Sequence, residues 1–204
     1  MLAGCDRLAR RTLMVLALMM SAACPAAQAA AGLTLDRLMS SLAQRHAGQV
    51  SYVEKDYLRI LDRPVSSSGV LLYRAPDWLE KRTLQPRKES LIVEGDELTV
   101  ARGRRKYQLQ LSAYPQVAPL VDAIRDTLAG NGQALEKVFR VSLAGSLQQW
   151  QLRLVPLDAG VARKVRWVQI SGAADAIAAV EILQVDGDRS VMTLGAPSGT
   201  RDGG

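Results

Sequence analysis

Residues Ser66–Val100, SSSGVLLYRAPDWLEKRTLQPRKESLIVEGDELTV, decide how the chain is read. The stretch reads as four short strands in succession. Ser68–Gly69 opens the first, Ala75–Pro76 breaks it, Pro86 breaks the next, and Glu94–Gly95–Asp96 turns the last hairpin. Glycine supplies the backbone freedom that tight turns need, and proline, lacking a ladder donor, belongs at strand ends and edges. A meander of this kind turns one face to a core or cavity and the other to water. Its segment Trp78–Leu84 has no clean apolar face: Leu79, Lys81 and Thr83 alternate with Trp78, Glu80, Arg82 and Leu84. Such a strand lies at a sheet edge or lines a space that admits polar groups.

Working outward, Thr34–Arg45 has Leu35, Leu38, Met39 and Leu42 at helical spacing, with Thr34 as N-cap and Gly48 as the stop. Gln49–Asp62 reads as a long strand with Val50 and Tyr52 on one face. After the meander, Glu97–Arg102 and Arg105–Leu111 form a hairpin whose tip, Arg102–Lys106, is the densest basic cluster of the chain. That cluster is either a solvated tip or a docking patch for anionic lipid or an acidic partner. Pro119–Ala129 is a helix with Leu120, Val121, Ile124 and Leu128 on one face; Gly130–Asn131–Gly132 ends it, and a helical turn at Gln133–Lys137 follows. The remainder returns to strands at Val138–Leu143, Leu147–Pro156, Val161–Ser171, Ala176–Val185 and Arg189–Leu194, with Asp186–Gly187 as a hairpin turn. Sequential antiparallel strands of this length predict one twisted, curling sheet, and the helices must cover part of it.

The first 29 residues read as a cleaved secretory leader: Arg7, Arg10 and Arg11, then the apolar run Leu13–Met20, then Ala27–Gln28–Ala29 as cleavage site. Ser21–Cys24 is similar to a lipobox with a weak first position, so an acylated Cys24 is the alternative processing. Cleavage after Ala29 removes both cysteines and leaves a periplasmic domain, residues 30–194, with a Gly/Pro/Ser-rich tail at 195–204. The chain carries 26 Lys+Arg against 20 Asp+Glu; without three arginines and one aspartate of the leader this becomes 23 against 19, or +4. That surplus suits solubility and weak attraction to anionic surfaces, and no nucleic-acid partner is expected.

No catalytic set is visible. His46 is the single histidine, a zinc site has no ligands to draw on, and neither a nucleophile elbow nor a phosphate-binding loop occurs. Asp122 and Asp126 lie one turn apart on the polar side of their helix, a solvated spacing rather than an acid/base pair. No enzyme activity, cofactor or metal is expected. A curled sheet with apolar helices and no catalytic residues is best explained as a container for an apolar ligand.

The ordered set Tyr52-Val53-Glu54-Lys55, Gly69-Val70-Leu71-Leu72-Tyr73-Arg74-Ala75-Pro76 and Glu89-Ser90-Leu91-Ile92-Val93-Glu94-Gly95-Asp96-Glu97-Leu98 resembles the periplasmic outer-membrane lipoprotein carriers of the LolA type. The resemblance implies a mainly β fold: an unclosed, strongly curved antiparallel β-barrel with a helical lid over a hydrophobic cavity. It implies a monomeric carrier that takes acyl chains of a lipoprotein or another lipid from an inner-membrane donor transporter to an outer-membrane acceptor, without a chemical step. Carried over by position, the cavity residues are Tyr52, Leu71, Tyr73, Leu79 and Ile92, and the lid residues are Leu120, Val121, Ile124 and Leu128.

The chain also departs from the family pattern. The arginine that latches the lid directly before the strand-ending proline is replaced by Ala75, and Arg74, one residue earlier, aims at the other face, leaving it only a candidate latch. Aromatic content is 4%, with Phe139 the sole phenylalanine, where the family's cavity is aromatic-rich. The implied position is a divergent LolA-related branch. Its alternatives are a carrier for glycolipid or polyene-lipid export and an outer-membrane-anchored acceptor lipidated at Cys24.

Overall fold

A computed structural model describes residues 32–115 and 117–195. The leader, the lipobox-like segment at Cys24 and the tail beyond residue 195 lie outside these residues. From Leu33 on, the described residues belong to one compact unit.

Helix α1 (Leu35–Leu42) starts where Thr34 Oγ1 accepts the Arg37 N–H at 3.3 Å, and it buries Leu38, Met39 and Leu42. It stops at Ala43. Gly48 therefore does not end it; that glycine lies inside β1 (Ala47–Tyr57), opposite Tyr73. The strands β2 (Val65–Arg74), β3 (Trp78–Gln85), β4 (Glu89–Glu94), β5 (Glu97–Arg102) and β6 (Arg105–Gln110) follow as the expected meander. Helices α2 (Ala118–Ala129) and α3 (Gly132–Val138) come next, then β7 (Phe139–Ser146) and β8 (Gln149–Pro156). A short α4 (Ala159–Ala162) precedes β9 (Val165–Ala173), β10 (Ala176–Gln184) and β11 (Arg189–Leu194).

All eleven strands form one antiparallel sheet in the order β6-β5-β4-β3-β2-β1-β11-β10-β9-β8-β7. The first strand pairs with the last, so β1 and β11 stand side by side at the middle of the sheet. The edges β6 and β7 do not pair with each other, and the α2–α3 segment runs between them. This is an unclosed antiparallel barrel with helices. Edge strand β6 reads RKYQLQ and is short and charged, which discourages edge-to-edge association.

The dense core occupies one half of the structure. It joins Leu38, Met39 and Leu42 of α1, Ala123 of α2 and Leu135 of α3 to Phe139, Trp150, Leu152, Leu154, Val168 and Ile170 of the sheet. The helices meet at Gly130. Its backbone takes φ +70° to end α2, and a Cβ there would fall 2.4 Å from the Met39 carbonyl oxygen. Only glycine permits both the turn and the approach.

One expectation needs correction. Val161 belongs not to a strand but to α4, where it is buried and its N–H bonds the Asp158 carboxylate at 2.9 Å. In β9, Val165 and Val168 are both buried although three residues apart. The β9–β10 register shifts between Leu183 and Gln184, opposite Trp167 and Val165. A bulge at that point reverses the in/out alternation, so Val168 and Ile170 point inward and Trp167 does not.

Candidate functional site

The concave side of the other half holds a cavity of about 260 Å3. Strand pairing explains its walls. Tyr73 stands opposite Gly48 and Leu79, and Leu71 opposite Val50 and Lys81, so these side chains share one face. On the far side of β1 the wall continues through Met192 and Leu194 of β11 and Val180 and Ile182 of β10. Because β1–β3 and β10–β11 line one space, the sheet must curl around it. Ile124 and Leu128, one helical turn apart on α2, close it from above.

Three sets of polar groups interrupt this aliphatic wall. Glu54 and Lys81, both largely buried, form an ion pair inside the cavity. The Glu54 carboxylate also accepts from Ser67 Oγ at 3.3 Å and from Ser190 Oγ at 3.1 Å, so its charge is well compensated. At the other end, Arg45 bridges to Asp175 at 2.7 Å, tying the α1–β1 connection to the β9–β10 turn. There Arg45 Nε and the Tyr73 hydroxyl are both buried without a hydrogen-bond partner among the described residues. Burial raises the Tyr73 pKa, and nearby Asp77 adds to this, so the phenol stays protonated and available as a donor.

The sequence-derived residues divide as follows. Leu71, Tyr73, Leu79, Ile124 and Leu128 line the cavity. Tyr52 shares the inner face but is packed against its neighbours: its hydroxyl meets Thr83 Oγ1 at 2.7 Å, and the Lys81 ammonium stands 5.3 Å from its ring centre. Ile92 is on the outer face, opposite Glu80; its neighbour Val93, opposite Leu79, is the inward residue. Leu120 packs into the dense core, and Val121 is half-buried beside it without reaching the cavity. Arg74, the candidate latch, stands at the end of β2. With Tyr73 inside, strand alternation sends Arg74 outward, where its guanidinium lies 4.1 Å from the Trp78 ring centre. The polar tie between α2 and the barrel starts from the helix instead: Arg125 donates to the Gly95 carbonyl at 2.5 Å and pairs with Asp122. Arg45, Glu54 and the β10–β11 residues were missed at the sequence level. They belong to segments far apart in the chain, and only the pairing of β1 with β11 brings them together.

Asp126 sits near the C-terminal end of α2, where a negative charge opposes the helix dipole. Burial, and then the Asp122 charge, push its pKa up; Arg125 and Asn131 partly counter this. A carboxyl whose pKa is raised by folding lowers stability as pH climbs through the carboxylate range, and the cost is complete above it. Asp126→Asn is therefore expected to raise the thermal midpoint at neutral pH and to leave it unchanged near about pH 3, where both states are protonated. Thermal melts of both proteins at the two pH values check this.

Residues 26–201 match the family model described as "Outer membrane lipoprotein carrier protein LolA-like". The chain belongs to this LolA-like family. Its fold is a lipoprotein-carrier fold, and the family's proteins are carriers. Among solved structures, the LolA-like chain is similar to a LolA superfamily protein from Nitrosomonas europaea at 12% identity and TM-score 0.43, covering 81% of this chain and 93% of that one. It is also similar to a putative outer membrane lipoprotein-sorting protein domain from Vibrio parahaemolyticus, at 10% identity and TM-score 0.44, covering 85% and 94%. A third similar structure is the lipoprotein LppX of Mycobacterium tuberculosis, at 12% identity and TM-score 0.42, covering 78% and 94%. No curated protein matches the chain.

Proposed function

We propose that this LolA-like chain is a periplasmic carrier that holds the acyl chain of a lipid or lipoprotein in the cavity beneath α2. It receives that cargo from an inner-membrane donor and yields it to an outer-membrane acceptor. The observation that carries the reading is the aliphatic cavity itself, walled by two arms of the sheet and roofed by Ile124 and Leu128. Binding there needs no bond to form or break. Each methylene hidden from water contributes about 0.8 kcal/mol, so a single chain supplies enough affinity for uptake. The volume lies just below the usual range of ligand pockets, about 300–1,000 Å3, and suits one chain segment. Larger cargo requires α2 to lift. Its hydrogen bond from Arg125 to Gly95 is worth about 1.5–3 kcal/mol for a charged donor, and the packing of Leu120, Ala123 and Thr127 must shift as well.

A second feature bears on the choice of cargo. Tyr73 Oη and Arg45 Nε are donors without acceptors at one end of the cavity. A ligand that brings a carbonyl, carboxylate or phosphate oxygen to that end satisfies both. This favours a lipid whose polar group enters the mouth over one that inserts hydrocarbon alone, and the linked acyl chains of lipoproteins and of glycolipids both bring such a carbonyl.

Native mass spectrometry of the protein as processed by the cell tests the proposal. The expected result is a population carrying acylated molecules, released on acidification with organic solvent. A protein that is consistently empty, and takes up no lipid when offered membranes, overturns the reading. The mass of the processed N-terminus decides between cleavage after Ala29 and acylation of Cys24.

A further inference from the structure

In an antiparallel meander alternate connections share one end of the sheet. The β1–β2, β3–β4, β5–β6, β8–β9 and β10–β11 connections therefore form one rim. The β3–β4 turn carries Arg87 and Lys88, and the β5–β6 turn carries Arg102, Arg104, Arg105 and Lys106, all exposed. The two tips adjoin, since Glu89 pairs in register with Arg102. Glu89 is also the carboxylate that meets Arg102. The next tip along the rim, between β1 and β2, holds Ile60 at 90% exposure and Leu61 at 46%, with Val65 and Leu84 both at 44% beside them.

The exposed apolar residues are not scattered. Among the described residues, Tyr57, Ile60, Leu61, Val65, Leu84, Leu157 and Val185 belong to this rim, Tyr114 and Val117 to the opposite rim, and Val53 and Tyr107 lie within strands β1 and β6. The opposite rim presents Asp77, Glu94, Asp96 and Asp175 beside Arg45 and Arg74, whereas on the first rim Arg59, Arg63, Arg163 and Lys164 join the two basic tips and outnumber Asp62, Glu89, Asp158, Asp186 and Asp188. Opposite ends of the barrel thus differ in both charge and apolar character.

We propose that the basic rim docks the protein on an anionic phospholipid bilayer. The Arg87–Lys106 sector meets the head groups, and Ile60 and Leu61 enter the interface. A bilayer fits these groups better than a protein partner does. The apolar residues lie at strand ends and in turns, and all but Tyr57 are aliphatic. Protein interfaces favour aromatics, and this rim exposes one, Tyr57, against six aliphatic residues. Anionic membrane surfaces select the combination found here, a cluster of cations with a few aliphatic side chains. Each cation near such a surface raises binding by about fivefold. The attraction falls as salt is added, because the screening length is about 10 Å at 0.1 M.

The test is co-sedimentation with phosphatidylcholine vesicles made with and without phosphatidylglycerol. The protein is used as processed by the cell. Expected are a clear preference for the anionic vesicles and its loss with added salt. The double variant Arg104→Glu/Arg105→Glu should bind at least about tenfold less, and Ile60→Ser several-fold less. All these residues are exposed, and unchanged melting curves will verify the fold of each variant. Comparing variants in the same background separates the rim from any lipid at the N-terminus. Equal binding to both vesicle types, or variants that bind as well as the parent, overturns the proposal. So does a basic rim that captures an acidic protein while ignoring vesicles. The cavity reading is independent: an Ile124→Glu protein should bind vesicles normally.

Discussion

Ile124→Glu should lower uptake of a fluorescent fatty-acyl probe by at least about tenfold while leaving the denaturation midpoint nearly unchanged. The side chain is half-buried on α2 and lines the cavity with Leu128 one turn later. The same helix turns Ala123 and Thr127, both fully buried, toward the remaining structure. Thr127 Oγ1 even returns its hydrogen bond to the Ala123 carbonyl at 2.6 Å, so it makes no demand on neighbours. The helix therefore has a packing face and a roofing face. Glutamate on the roofing face removes about 1.5–3 kcal/mol of apolar contact with a ligand and sets a charge where hydrocarbon must lie. Without ligand it can remain hydrated at the mouth. Leu120→Glu is the contrast: Leu120 packs against the dense core, so its replacement should unfold the protein. Probe titration and urea melts on the two variants give opposite patterns if α2 is a lid. If Ile124→Glu also collapses the fold, the residue is core and the cavity loses its roof.

The two faces of α2 illustrate what sequence could and could not reveal. Leu120, Val121, Ile124 and Leu128 form one apolar stripe by periodicity, and the stripe did locate the helix. Periodicity does not distinguish a core from a cavity, because both exclude water from one side. The four residues parted company only once the sheet was in place. Strand existence was legible for a simpler reason. Pro76, Pro86 and Gly95 fall between strands, and the alternation of Trp150, Leu152 and Leu154 against exposed partners is unbroken. Inward direction failed where local geometry reset it. Ile92 and Val93 differ by one residue and face opposite ways. The mixed character of Trp78–Leu84 was the better signal. This strand is not an edge; Leu79 and Lys81 line the cavity, and Lys81 finds Glu54 there. A lysine inside an aliphatic wall made sense only with its partner from another strand.

Trp150→Ala should destabilise the fold by about 3–5 kcal/mol, a large fraction of the 5–15 kcal/mol typical of a domain. The indole is fully buried, and it lies so close to Gly172 that a Cβ there would come 2.5 Å from the ring. Its Nε1 donates to the Ala174 carbonyl at 3.1 Å, so the ring also holds the β9–β10 turn. The next residue, Asp175, bonds Arg45 at the mouth of the cavity. Removing the ring leaves a void in the half of the barrel that is already solid, where α1 and α3 fix the surrounding side chains and little can collapse inward. Trp150→Phe separates the two roles. It keeps most of the volume but surrenders the N–H, at about 1 kcal/mol. Urea melts should show a much larger midpoint shift for alanine than for phenylalanine, with the slope unchanged in both. Probe affinity, measured at low denaturant on folded protein, should stay close to wild type for phenylalanine. The outcome that sinks this picture is a stable alanine variant, or one that loses ligand binding and no stability. Stability and uptake are separable here because they reside in different halves of one sheet. The β7–β9 half is filled by its own side chains, while the β1–β3 and β10–β11 half keeps its centre open beneath α2.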